Sequence, residues 1–195
     1  MMELPTILQG ALAPIDEPPI STRSTISGAA DHKEAALEFV MQRQEQTNWC
    51  WSAVSVSVSK YFDSSSVWTQ CELVCVEFGN SDCCGDGNST ACNQPWYLDR
   101  ALRRTGNLDT WRPGTIAPTE LMQLLREGRP VAARIGWPGG GGHVVALTAC
   151  MRHEGNSFVV VGDPWHGSQT YAYKELCARY KGTGVWTHTY FTKSE

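Results

Sequence analysis

Near residue 130 the texture of the chain changes, and that change limits the fold more than any other feature. Ahead of it lie segments with helical signals. "CELVCVEFG" reads as a short helix stopped by Gly79, "QPWYLDRALRRTG" as a helix with Pro95 near its first turn and Gly106 at its close, and "APTELMQLLREGRP" as one with Thr119 as N-cap and Gly128 as stop. Behind it come "VAARIGW", "HVVALTACM", "SFVVVGD", "QTYAY" and "GVWTHTYFT", β-branched and aromatic runs split by Gly, Pro and Asn, with "YKELCARY" as a helical turn before the last. Helices gathered in the first half and strands in the second predict an α+β class with a mostly antiparallel sheet.

A chain of 195 residues is long enough for one domain around one core. Residues 1 to about 35 hold four of the ten prolines and carry neither helical nor strand periodicity, so 1–35 is expected to be a flexible leader or prosegment and 36–195 the functional domain. "EAALEFVMQRQ" begins the apolar order, as either helix or strand. A net charge of -4 gives no basic footprint for nucleic acid. No apolar run approaches the ~20 residues of a membrane helix. The N-terminus lacks the basic and apolar regions of a secretory signal.

Eight cysteines are present, and five of them, Cys71, Cys75, Cys83, Cys84 and Cys92, crowd into a loop rich in Gly, Asn, Asp and Ser. Local disulfides, a zinc site and reduced thiols are the three readings. Disulfides imply an oxidising compartment, which conflicts with the missing signal unless export takes another route. The loop is far in sequence from His143 and is expected to be structural and independent of catalysis.

Cys50 stands apart from that loop, between Trp49 and Trp51 in "RQEQTNWCWSA". A nucleophilic cysteine needs a site that favours the thiolate, a histidine within reach and a group to orient that histidine. A helix N-terminus provides the first. "WSAVSVSVSKYF" alternates like a strand, yet a helix opening at Cys50 is the reading that meets the requirement. Of the five histidines, His143 follows "GWPGGGG" and opens the apolar run "HVVALTAC". Asp163 closes the next run, so a hairpin of the two places His143 beside Asp163, with Asp163 accepting from Nδ1–H. "GDPW" is also good turn chemistry, the plainer role for Asp163. His166 is a weaker candidate base. Gln44 stands six residues before Cys50 as an oxyanion donor, a role worth ~3 kcal/mol per donor in measured cases; Gln46 and Asn48 are its rivals.

"QEQTNWCW", "GGGGHVV" and "GDPWHG", in that order, resemble the compact bacterial papain-like cysteine peptidases typified by the avirulence effector proteases of plant pathogens, with bacteriocin leader peptidases as more distant relatives. The resemblance covers roughly residues 37–191. It implies a helical half carrying Cys50, a sheet half carrying His143 and Asp163, and an active site in the cleft between. It also implies hydrolysis of peptide or protein substrates and self-processing of an N-terminal segment; no cofactor and no metal in the active site are expected. The sequence departs from papain itself in its shorter length, in Trp49 where papain has a small residue and in Asp163 where papain has an asparagine. An acyl transferase, a deamidase or a peptidoglycan amidase would use the same residues, and an inactive binding domain is the remaining alternative.

Overall fold

The computed structural model describes residues 34–195; His32 and all but the last two residues of the expected leader lie outside the described residues. The elements run β1 (Glu34–Ala36), α1 (Cys50–Phe62), α2 (Gln70–Phe78), α3 (Leu98–Arg104), β2 (Leu108–Pro113), α4 (Pro118–Arg126), β3 (Val131–Gly136), β4 (Gly142–His153), β5 (Asn156–Asp163), β6 (Gly167–Ala172), α5 (Tyr173–Arg179) and β7 (Val185–Thr192). Seven strands form one sheet in the order β2-β7-β3-β4-β5-β6. Every pairing in it is antiparallel, and β1 continues the sheet along the second half of β4. The α+β architecture expected from the sequence is the one observed.

Each face of the sheet has its own core. Val131, Ala133, Ile135, Val145, Leu147, Val159 and Val161 pack with Leu121 and Leu125 of α4 and Leu176 of α5. Ala132, Val144 and Tyr190 pack with Val54, Val56 and Val58 of α1, Leu73 and Val74 of α2, and Leu98 and Leu102 of α3. The central strands β3 and β4 thus serve both cores, which is why they read as near-continuous apolar runs rather than alternating ones.

The helix α1 resolves the alternation of Trp51–Phe62. Trp51 to Ser59 are all buried, so the helix has no wet face over two turns. Its serines make that possible. Ser55 and Ser57 donate back to the carbonyls of Trp51 and Ala53, Ser52 donates to the carbonyl of Gln70, and Ser59 and Ser66 share a hydrogen bond. Each hydroxyl is satisfied inside the core, so a pattern that looks half-polar behaves as wholly buried.

Helix ends show two corrections. α4 starts two residues earlier than a Thr119 cap allows: Pro118 occupies its first position, Ala117 is the N-cap without a side-chain bond, and Thr119 lies inside the helix. Proline's fixed φ and missing N–H suit that first position. Pro95 stands ahead of α3 rather than in its first turn. α2 behaves as read, with Gly79 in the left-handed conformation at its end and a Thr69–Glu72 capping box that the sequence reading did not use. β2 was not expected; it is an edge strand on β7 with only Leu108 buried, so it lacks the alternation by which strands are recognised.

Two disulfides, Cys71–Cys84 and Cys83–Cys92, close the cysteine-rich loop, while Cys50, Cys75, Cys150 and Cys177 form none. The first ties the loop to α2. The loop is not independent of Cys50. Its last residues grip the segment before α1: the Trp49 indole donates to the Cys92 carbonyl (2.9 Å), the Trp51 indole to the Gln94 carbonyl (3.0 Å), and the Asn48 N–H to the Asn93 side-chain oxygen (2.9 Å). Asn93 also donates to the Thr47 hydroxyl, and its carbonyl accepts from the Asn48 amide. A Cβ on Gly87 would lie 2.8 Å from the Trp49 ring, so only glycine lets the loop come this close. Replacing both Cys83 and Cys92 by serine should therefore lower Tm by on the order of 10 °C and also slow alkylation of Cys50, read at that residue by peptide mass spectrometry. An unchanged alkylation rate would mean that the grip on residues 47–51 does not govern the thiol.

Candidate active site

Cys50 is the first residue of α1 and is half-buried. Trp49, the N-cap, provides no side-chain acceptor, and the first turn contains no acidic residue. The opening N–H groups of the helix therefore stay available to a negative charge at the helix tip. The two flanking indoles, each about 1% exposed, anchor that tip in the helical half.

His143 and Asp163 meet, with Nε2 2.9 Å from Oδ1. A β-bulge makes the meeting possible. In β4 and β5, Cys150 pairs with Val159 and Ala149 with Val160, but Leu147 pairs with Val161 and Ala146 with Gly162. Thr148 is the extra residue. If the register of Cys150 and Val159 ran on unbroken, Ala146 and Val144 would share the face of Asp163, and His143 would point to the other side. The bulge shifts the register by one and exchanges the faces. The Thr148 carbonyl accepts from the N–H of Leu37, just after β1.

The ring nitrogen at Asp163 differs from the expectation. From β4 it is the far nitrogen, Nε2, that reaches across to Asp163. Burial alone would lower the pKa of His143. Hydrogen bonds with Asp163 and Cys50, and the negative charge of each, outweigh burial and raise it to about 9. Burial alone would raise the pKa of Asp163; hydrogen bonding to His143 and its positive charge, with bonds from Tyr180 and the His166 N–H, hold it well below the usual carboxylate range.

Asp163 is 2% exposed and accepts four hydrogen bonds. Oδ1 takes His143, the Trp165 N–H (2.7 Å) and the His166 N–H (3.0 Å); Oδ2 takes the Tyr180 hydroxyl. The turn role read from "GDPW" and the contact with His143 thus belong to the same oxygen. His166 contributes its backbone, while its side chain is exposed. Tyr180 went unnoticed in the sequence, because an aromatic at the end of a short helical segment reads as core.

Gln44 lies beside the turn that follows Asp163. Its N–H donates to the carbonyl of Pro164 (2.9 Å), tying the segment before Cys50 to the turn after Asp163. Its side-chain amide donates to the carbonyls of Gln46 (2.7 Å) and Thr47 (2.8 Å), while Oε1 is buried without a protein partner among the described residues. Asn48 is engaged by Asn93 and so serves the loop contact. Among the described residues no group of three or more His, Cys, Asp or Glu is arranged to hold a metal ion, and no helix is long and apolar enough to cross a membrane.

The family described as papain-like cysteine protease AvrRpt2 matches residues 32–180. Among curated proteins nothing matches the sequence. Solved structures do. The digestive procathepsin L 3 of the Tenebrio molitor larval midgut is 12% identical with a TM-score of 0.50, over 91% of this chain and 73% of that one. A structure from work on the mite allergens Blo t 1 and Der p 1 is 13% identical with a TM-score of 0.55, over 91% of this chain and 74% of that one. At such identities these two speak for the fold alone. The Pseudomonas avirulence protein AvrPphB is 14% identical over 79% of this chain and 96% of that one, and its TM-score of 0.38 is too low to bear on the fold. With most of its length matched, the chain belongs to the papain-like cysteine protease AvrRpt2 family and is a cysteine peptidase acting on protein substrates.

Proposed function

We propose that Cys50, His143 and Asp163 form the catalytic triad of this peptidase, with Gln44 and the N-terminus of α1 as the oxyanion site. The observation that carries the reading is the 2.9 Å contact of His143 with a buried, ionised Asp163; Cys50, at the tip of α1, supports it by helping to raise the pKa of the same ring. In the first half of the reaction the Cys50 sulfur attacks the scissile carbonyl carbon, a C–S bond forms, and the carbonyl π electrons move to oxygen. The Cys50 N–H at the helix tip and the Gln44 amide receive that oxyanion; Gln44 exchanges one of its carbonyl partners, Gln46 or Thr47, for the new acceptor. His143 then gives its proton to the amine nitrogen as the C–N bond breaks, leaving a thioester. In the second half His143 takes a proton from water, the hydroxide adds to the thioester, and the C–S bond breaks to free the acid and Cys50. Asp163 keeps the ring oriented and stabilises its charged form without taking the proton.

The N-terminal segment, about 1–35, is on this reading a leader that the enzyme removes from itself. Its composition and the resemblance to effector proteases support this. The test pairs the wild-type chain with Cys50→Ala on a peptide library and on storage. Hydrolysed peptides and a shortened N-terminus are expected for the wild type alone. Transfer of the acyl group to an added amine, with no hydrolysis, would favour the acyl-transferase reading. Gln44→Ala should reduce kcat about 10²-fold with KM little changed; an equal kcat would remove Gln44 from the oxyanion site.

The pH dependence follows from His143. Its pKa is raised from 6.5 to about 9, so the protonated ring persists through neutral pH and is lost as pH climbs through about 9. The basic limb of kcat/KM should accordingly lie near 9. In Asp163→Asn it should move down toward the ordinary histidine value, with partial activity remaining. A basic limb that stays in place in Asp163→Asn would reassign the orienting role.

A further inference from the structure

Asp163 is held by more than the histidine it serves. We propose that Tyr180 is a positioning residue for the reaction: its hydroxyl fixes Oδ2 of Asp163 so that Oδ1 stays in line with His143. The proposal rests on the triad reading above.

Three observations carry it. First, Tyr180 is about 1% exposed and its hydroxyl donates to Oδ2, the only Asp163 oxygen that neither His143 nor the turn amides engage. A buried carboxylate oxygen without a donor is costly, and a carboxylate bonded through one oxygen alone can swing about its last torsion. Four bonds over two oxygens remove that freedom. Second, the Tyr180 ring also packs near Trp137, with centroids 6.5 Å apart, and on Tyr171 at 4.9 Å. Trp137 begins the glycine turn that leads into His143, so one ring contacts both Asp163 and the segment that delivers its partner.

Third, the chain is shaped to turn this side chain inward. After α5, Tyr180 and Gly184 exchange backbone hydrogen bonds of 2.8 Å each way. The tight return between them has Lys181 and Gly182 at positive φ, 49° and 92°. Gly184 admits no side chain: a Cβ there would sit 2.5 Å from Ile135, 2.6 Å from Trp137 and 2.9 Å from the Tyr180 carbonyl. Burial and the neighbouring Asp163 keep the phenol protonated well beyond its ordinary range, so it remains a donor at every working pH.

The test uses the full chain with Tyr180→Phe, Asp163→Ala and the double variant. Each is followed by peptide hydrolysis, by the alkylation rate of Cys50 and by an NMR titration of the His143 ring. Tyr180→Phe keeps the ring and its packing. We expect kcat to fall about tenfold at constant KM and the His143 titration to move down by about one unit, because a carboxylate free to turn loses its alignment with the imidazolium, and that loss outweighs the charge it regains. In the Asp163→Ala background the same change should have no further effect on activity, since Tyr180 acts only through Asp163. An equal loss in both backgrounds, or a lowered Tm with an unmoved titration, would make Tyr180 a packing residue. An upward move would mean that it only drains charge from Asp163, which also overturns the proposal. The titration and the alkylation rate need no peptide substrate, so they decide on Tyr180 even if hydrolysis itself fails to appear.

Discussion

A carboxylate buried to within 2% of complete exclusion from water is the constraint around which this protein is arranged. An ionised group in that position survives only if its oxygens are paired. Asp163 finds four donors, and they come from separate parts of the chain: His143 at the start of β4, the Trp165 and His166 amides of the turn into β6, and Tyr180 after α5. Satisfying one side chain therefore fixes one end of the sheet. The next residue, Pro164, takes the N–H of Gln44 on its carbonyl and connects that end to the segment approaching Cys50. The bond and the charge that Asp163 offers His143 also help to raise the pKa of that ring against its burial.

The opposite wall of the site is built by other means. α1 is buried along two turns because its serines bond to backbone carbonyls and, in the case of Ser59, to Ser66 beyond the helix, so its N-terminus cannot shift without disturbing the core. The disulfide-closed loop then holds residues 47–51 through Asn93, Cys92 and Gln94. One wall is fixed by charge pairing, the other by packing and covalent closure. On the proposed triad, fixing Cys50 and His143 in advance would reduce the reorganisation needed during the reaction.

Much of this was legible in the residues, and the parts that were not have identifiable causes. The order of Cys50, His143 and Asp163 and the segregation of helices from strands carry the class and the family. The hairpin expectation put His143 beside Asp163, where they do meet, but through a register that holds only because Thr148 bulges, and periodicity cannot reveal a bulge. It also assigned Asp163 to the wrong ring nitrogen, since reach across two strands depends on side-chain direction rather than spacing. β2 was invisible because an exposed edge strand needs no apolar pattern. Tyr180 and the contact of the cysteine-rich loop with Trp49 were missed for a common reason: both are long-range hydrogen bonds made by residues whose local sequence reads as ordinary core or ordinary loop.

The central claim is that the surroundings of Cys50, and of no other thiol, make it a nucleophile. The most direct measurement is intact-mass and peptide-level analysis of the chain after a peptidyl epoxide, with His143→Ala alongside. Four cysteines are outside disulfides, Cys50, Cys75, Cys150 and Cys177, so the probe has a real choice. The account predicts one adduct, on Cys50, in the wild-type chain and its near absence in His143→Ala. Labelling spread over the four thiols, or an undiminished adduct without His143, would contradict it.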